Sequence, residues 1–173
     1  DLPCLAINHL EGHLLAPFLR DSTYQPPAGF TFPYIGLAVS GGHTTLYEAL
    51  GLGNYRILGG TRDDAAGEAF DKFAKMIGLG FPGGVAVDNC ASQGNSRRFS
   101  FPRALLNEDN LDFSFSGLKT AASRLIASMS ASDLQENKND LCASFQESIV
   151  SVLVEKLFRA VESTGVLRVA LTG

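Results

Sequence analysis

The sequence predicts an α/β fold, one sheet covered by helices, and three observations lead to it. The apolar strand Ile35–Val39, a Ser40-Gly41-Gly42 turn and a returning strand over Thr44–Leu50 make the pattern of a hairpin. Segments with apolar residues at helical spacing follow, the clearest over Leu141, Phe145, Ile149, Val152, Leu153, Leu157, Ala160 and Val161. The chain then closes on Val166–Gly173, an apolar strand reached directly from that helix. A strand that returns through helices must add to the sheet in parallel.

In chain order, residues 5–19 read as a short strand running into a helix from Asn8 to Leu19, with Pro17 near its end. Residues 20–34 are loop, broken by Pro26, Pro27, Gly29 and Pro33. After the hairpin, residues 51–54 turn the chain and Tyr55–Leu58 makes a third strand. Thr61-Arg62-Asp63-Asp64 resembles a capping box and opens a helix whose apolar residues Ala66, Ala69, Phe70, Phe73 and Ile77 run to Gly78. Residues 80–117 are rich in glycine, serine and aromatics and hold one short helix near Val85–Gln93. Leu118–Met129 is helical, and Ser130 to Asp140 reads as a mobile polar linker. Gly165 stops the last helix.

Hydrophobic residues make up 45% of the chain and charged ones 18%, enough apolar mass for a core. Apolar runs such as Ile149–Leu153 are far shorter than a membrane span, and no signal peptide is visible. The three cysteines, Cys4, Cys90 and Cys142, are odd in number and far apart. They fit reduced thiols of a cytoplasmic protein better than a disulfide framework. A net charge of −4 gives no global attraction to nucleic acid, so an RNA substrate would need a local patch or a partner. Both ends read as cut. The chain opens on Asp1 without a methionine, and its last strand stops where a glycine turn begins, the place where α/β folds bind ligands.

Five segments could carry chemistry. His9 and His13 share a helical face and can point at one ion, whereas Glu11 points away. An isolated pair of this spacing is more often surface or capping histidines, because an open catalytic site usually has three protein ligands. Val39-Ser40-Gly41-Gly42-His43 is a glycine turn that either cradles an anion or simply reverses the chain. Asp64, Glu68 and Asp71 form an acidic stripe, and Gly67 inside their helix costs about 1 kcal/mol relative to alanine. That anomaly implies close approach by a ligand or another backbone. Phe81-Pro82-Gly83-Gly84 with Asp88 one helical turn on either holds a ribose or shapes a loop. Ser96–Arg103 interleaves Arg97, Arg98 and Arg103 with Phe99 and Phe101, which suits contact with RNA phosphates and stacked bases, or a solvated loop with buried phenylalanines.

Taken in order, five motifs resemble one family over the whole chain. They are Asn8–Pro17, Val39–Thr44, Asp63–Lys72, Phe81–Gly84 and Asp112–Lys119. The family is the bacterial type of tRNA threonylcarbamoyl-adenosine synthase, once described as a glycoprotease. The resemblance implies a two-lobed fold of the actin/Hsp70/sugar-kinase type. Residues 1–34 would end the first lobe with the metal helix and a connecting loop, and 35–173 would form a truncated second lobe. It implies transfer of a threonylcarbamoyl group from threonylcarbamoyl-AMP to N6 of the adenosine beside the anticodon. It further implies that His9 and His13 hold one iron or zinc ion, and that Ala38, Val39, Ser40, Gly41 and Gly42 line the adenylate, with Asp71, Gly84 and Asp88 contacting it. Position 88 is an acid in only some branches of the family. The implied partners are tRNA, a small paralogous subunit and an ATPase subunit, with no membrane. The family's acidic phosphate-loop motif would precede Asp1. Its glycine-rich stretch with an asparagine, and the aspartate completing the metal shell, would follow Gly173, so residues 1–173 alone are expected to be inactive. No side-chain base is evident. A nucleotide-binding paralogue without activity and a metal-dependent peptidase are the alternatives.

Overall fold

The computed structural model describes residue 3 and residues 8–173. Its centre is a four-stranded mixed sheet in the order β3-β2-β1-β4. The strands are β1 (Tyr34–Val39), β2 (Thr44–Gly51), β3 (Asn54–Gly60) and β4 (Val169–Thr172). β1 and β2 form the expected antiparallel hairpin, with Val39 opposite Thr44. β4 adds to the other side of β1 in parallel, with Leu37 opposite Leu171. The strand expected over residues 5–7 lies outside the described residues.

Helices cover both faces of the sheet, and β1 sorts them by its alternation. Ile35 and Leu37 point into the main core with Leu46, beneath α2 (Ala66–Met76), α3 (Gly83–Ala91), α4 (Ser116–Ala127) and α6 (Lys138–Thr164). Phe73 of α2 and Phe145 of α6 stack at 3.9 Å in the middle of that core. The intervening positions of β1, Gly36 and Ala38, face the opposite way, towards α1 (His9–Leu15). Leu14 of α1 packs with Ala38 and Tyr47 in a second, small cluster. A Cβ on Gly36 would lie 2.7 Å from Leu14 Cδ2, so glycine there lets α1 approach the sheet.

Four expectations are corrected. The first helix ends at Leu15, and Pro17 turns the chain through a short 3₁₀ segment, Ala16–Phe18, instead of continuing to Leu19. The helix expected to be capped at Thr61–Asp64 begins at Ala66 with no side-chain cap from its own sequence. Thr44 Oγ1 accepts the Ala66 N–H at 2.8 Å instead, a cap supplied from β2. Asp64 therefore precedes the helix, and the acidic stripe divides. Asp64 and Glu68 share Lys72, each at 2.8 Å, while Asp71 turns to α3. Lastly, the polar segment after Ser130 is no linker. It folds as α5 (Ala131–Glu136) because Ser130 and Asp133 form a true capping box, and Asn137 leads straight into α6.

Candidate active site

Asn8 fixes the start of α1, its Oδ1 accepting the N–H of Leu10 at 2.9 Å and of Glu11 at 3.3 Å. The helix thus begins on His9, and His13 lies one turn on, on the same face. The two Nε2 atoms are 3.1 Å apart, and the rings meet edge-on with centroids 4.5 Å apart. Glu11 turns away, as its spacing requires. Its Oε1 accepts from Gly53 N–H at 3.2 Å and from Tyr55 O–H at 3.0 Å, across the β2–β3 turn. With metal–nitrogen bonds of about 2.0–2.1 Å, nitrogens 3.1 Å apart subtend about 95–102° at an ion, between octahedral and tetrahedral angles. The spacing of the two nitrogens is therefore compatible with a shared divalent ion, although as they stand the rings are within hydrogen-bond distance of each other. Among the described residues no third histidine, cysteine or carboxylate completes such a cluster.

The Ser40–His43 turn closes the β1–β2 hairpin beside this pair. The His43 ring lies 6.3 Å from that of His9, centroid to centroid, close to the pair but not part of a three-residue metal cluster. Sequence reading missed His43, although a third histidine directly after Ser-Gly-Gly was a visible signal. The turn is internally bonded more than a bare glycine cradle would be. Ser40 N–H donates to His43 O at 2.8 Å, and Ser40 Oγ accepts the N–H groups of Gly42 and His43 at 3.3 and 3.1 Å. Gly41 N–H is the turn's amide without a partner among the described residues. Ala38 is buried and paired to Thr45 and Thr172, so it roots the turn in the sheet and offers no side chain to a ligand. Val39 and His13 line one open cavity of about 700 Å³, together with Tyr24, Leu153 and Thr172.

Gly67 explains how the turn is joined to α2. A Cβ at this position would meet Ser40 O at 2.6 Å and Gly41 N at 2.8 Å, and Gly67 N–H donates to Ser40 O at 3.2 Å. Another backbone, not a ligand, occupies the space that the missing side chain leaves. One turn further along α2, Asp71 Oδ1 accepts Gly83 N–H at 2.7 Å. Gly83 has no room for a Cβ there, since Asp71 Cα would lie 2.5 Å away. Ser40, Gly67, Asp71 and Gly83 thus form one continuous chain of contacts. Beyond it, Gly84 is open, with nothing within 4 Å of an added Cβ. Asp88 is exposed on the next turn of α3, its Oδ1 accepting from Gln146 Nε2 at 2.9 Å. Arg97, Arg98 and Arg103 are exposed on the loop after α3.

Asp63 is a second group that the sequence misassigned. It accepts the N–H groups of Phe115 and Ser116 at 2.8 and 3.1 Å and the Ser116 hydroxyl at 2.8 Å, capping α4 from 52 residues away. Burial alone would raise its carboxyl, but the hydrogen bonds from Ser114, Phe115 and Ser116 outweigh it and hold the group below the usual carboxylate range.

A mixed sheet with a central parallel strand pair, helices on both faces and a glycine turn at the strand end are consistent with part of an actin/Hsp70/sugar-kinase fold, the class to which the family match assigns the chain. Within that class, the profile of the tRNA N6-adenosine threonylcarbamoyltransferase family, TsaD, matches residues 1–173, and the chain belongs to that family. It is 60% identical over 172 residues to a tRNA N6-adenosine threonylcarbamoyltransferase of Bdellovibrio bacteriovorus, covering 99% of this chain and 50% of that protein. Proteins with the same name from an Anaeromyxobacter species and from Syntrophotalea carbinolica are 55% and 48% identical over 173 residues. These alignments cover 99% and 100% of this chain and 49% and 48% of those proteins. The chain spans about half the length of the curated relatives it matches. Among the described residues no helix is long and apolar enough to cross a membrane.

Proposed function

We propose that this chain forms the metal helix and much of the second lobe of a cytoplasmic tRNA N6-adenosine threonylcarbamoyltransferase. Residues 1–34 belong to the first lobe and its connection, and 35–173 to the second. The substrates are threonylcarbamoyl-AMP and tRNAs that read codons beginning with adenine. A small paralogous subunit and an ATPase subunit are the partners. The observation that carries the reading is the convergence of His9 and His13 at 3.1 Å beside the Ser40–His43 turn, in a chain of this family.

In this reading His9 and His13 hold one iron or zinc ion, which when bound supplies Lewis-acid polarisation of the threonylcarbamoyl carbonyl. Ser40, Gly41 and Gly42 approach the adenylate through their main chain, with Val39 below them. Gly84 leaves room for the nucleotide, and Asp71 and Asp88 border it. Holding the donor against the turn aligns its carbonyl carbon for attack by the N6 amine of the tRNA adenosine. The new C–N bond forms as the bond to the phosphate oxygen breaks. AMP departs with that electron pair, and the amine loses a proton to solvent. Because AMP is a good leaving group, the step needs no strong acid from the protein. The engaged position of Glu11, held by Gly53 and Tyr55, argues against a peptidase, which needs a glutamate base beside its metal.

The test is incorporation of labelled threonine into tRNA by the complete gene product with its partner proteins and threonylcarbamoyl-AMP. Transfer is expected from the complete product and none from residues 1–173 alone. No transfer by the complete product would refute the reading.

A further inference from the structure

We infer that the pocket between Arg97 and Arg103, on the loop after α3, binds a phosphate of an RNA strand. The inference rests on the reading of tRNA as substrate and gives that substrate a place on this chain. The loop is built against α6 at several points. Asp140 Oδ1 accepts Asn95 N–H at 2.7 Å, and Ser144 Oγ accepts Phe99 N–H at 3.2 Å while donating to Asn95 O at 3.3 Å. Phe101 is buried edge-on to Phe145, with centroids 5.7 Å apart, and Phe99 packs at the margin of the same core. A Cβ on Gly94 would strike Asn139 O at 2.1 Å, so the loop leaves α3 hard against α6. The aromatics that the sequence interleaves with arginine are therefore structural, and Phe101 in particular cannot stack on bases. What the loop presents outward is charge.

That charge surrounds a polar cavity of about 400 Å³, walled by Arg97, Arg103, Ser96, Ser100, Ser148 and Glu147. Arg97 is in none of the ion pairs among the described residues. Arg103 faces only Glu147, at 3.8 Å, with both side chains nearly half exposed, a pair worth close to nothing in water. Arg98 lies instead over the Phe99 ring, 5.9 Å from its centroid. Two guanidiniums and two loop hydroxyls around one cavity match the donors that a phosphodiester takes, and arginine binds phosphate through paired N–H groups. The place also suits a substrate strand. Gln146, which holds Asp88 of the candidate nucleotide side, is next in sequence to Glu147 of the pocket wall. In a chain of net charge −4, such a local site is where counterion release can be won.

The experiment is equilibrium binding of fluorescent tRNA to the complete gene product over about 0.05–0.3 M salt. Arg97→Ala and Arg103→Ala should each flatten the plot of log K against log salt by roughly 0.7–0.9 and weaken binding roughly threefold to tenfold at the low-salt end. Glu147→Gln should act in the opposite direction and tighten binding about twofold to threefold, because it removes the one anion in the wall. Loss of structure could not produce that gain. Arg124→Ala, an exposed arginine on α4, should leave the slope unchanged. Inorganic phosphate, compared with chloride at equal ionic strength, should displace no additional tRNA, which separates a strand site from a free-anion site. A steep wild-type slope that survives both arginine substitutions overturns the pocket and leaves the transferase reading standing. The pocket also falls if inorganic phosphate competes specifically. Absence of salt-dependent tRNA binding to the wild type overturns the pocket and the tRNA reading together.

Discussion

Gly67→Ala is the sharpest perturbation of the junction between the Ser40–His43 turn and α2. The added Cβ would lie 2.6 Å from Ser40 O and 2.8 Å from Gly41 N, against an ordinary contact distance of 3.4 Å, so backbone must retreat by about 0.6–0.8 Å. That overpacking costs about 1–3 kcal/mol. Stretching the 3.2 Å bond from Gly67 N–H to Ser40 O removes about another 0.5–1.5 kcal/mol. Alanine returns at most about 1 kcal/mol of helix propensity. The net is a loss of about 0.5–3.5 kcal/mol, or a fall in Tm of roughly 1–14 °C for a chain of this size. Gly117 supplies the control. It occupies the same second position in α4 that Gly67 occupies in α2, and nothing lies within 4 Å of its missing Cβ. Gly117→Ala should therefore stabilise by about 0.4–1 kcal/mol. Thermal unfolding by circular dichroism compares the two. In the complete gene product, Gly67→Ala should also weaken adenylate binding at least about tenfold, because the turn is displaced. If Gly67→Ala raises Tm as Gly117→Ala does, the turn does not rest on α2, and the continuous path from Ser40 to Asp71 is wrong.

Two further outcomes are expected. His9→Ala or His13→Ala should lower divalent-metal affinity at least about 100-fold in a chelator competition, with Tm nearly unchanged because no buried apolar volume is lost; unchanged affinity in both variants would remove the ion from the pair. Asp63 and Asp112 should dominate the acid limb of stability. Asp112 is held below the usual carboxylate range first by the Gly60 N–H and then by Arg62, and Asp63 by the serines and amides at the start of α4. Folded values below unfolded ones mean stability that is complete above the ordinary carboxylate value of about 3.9 and is lost as pH falls through the folded values. Asp63→Asn with Asp112→Asn should lower Tm at neutral pH and flatten its fall below about pH 4, and an unchanged acid slope would refute this.

The elements legible in the sequence were those with strong local patterns. The hairpin followed from the apolar strand before Ser40-Gly41-Gly42 and the returning strand after it, and α6 from its repeated apolar face ending at Gly165, whose φ is +71°. The cost of Gly67 inside a helix was legible too, as a demand for close approach. What approached it was not, because that partner lies on another strand. The same limit explains Asp63. Its neighbours suggested a cap for the helix that follows it, but the α4 amides it caps are more than fifty residues away. With Asp63 engaged there, Thr44 caps α2 from β2. The segment after Ser130 failed for another reason. Its polarity outweighed the capping signal of Ser130 and Asp133, although six residues of helix on the surface need little apolar surface.

His43 shows why the candidate site needed the sheet to be seen whole. The histidine pair belongs to α1, on the face of the sheet reached through Gly36 and Ala38. Asp71 and Gly83 belong to the helices on the opposite face. Residues on opposite faces of a sheet can meet only around a strand end, and the Ser40–His43 turn at the end of β1 is where both come within reach. Its Ser40–Gly41 backbone rests on Gly67 of α2, and its His43 side chain reaches towards His9 of α1. The two halves of the proposed chemistry, ion and adenylate, are therefore linked through four residues whose own hydrogen bonds already fix their shape. A ligand spanning both would meet a turn that loses little entropy on binding, since Ser40 has ordered Gly42 and His43 beforehand.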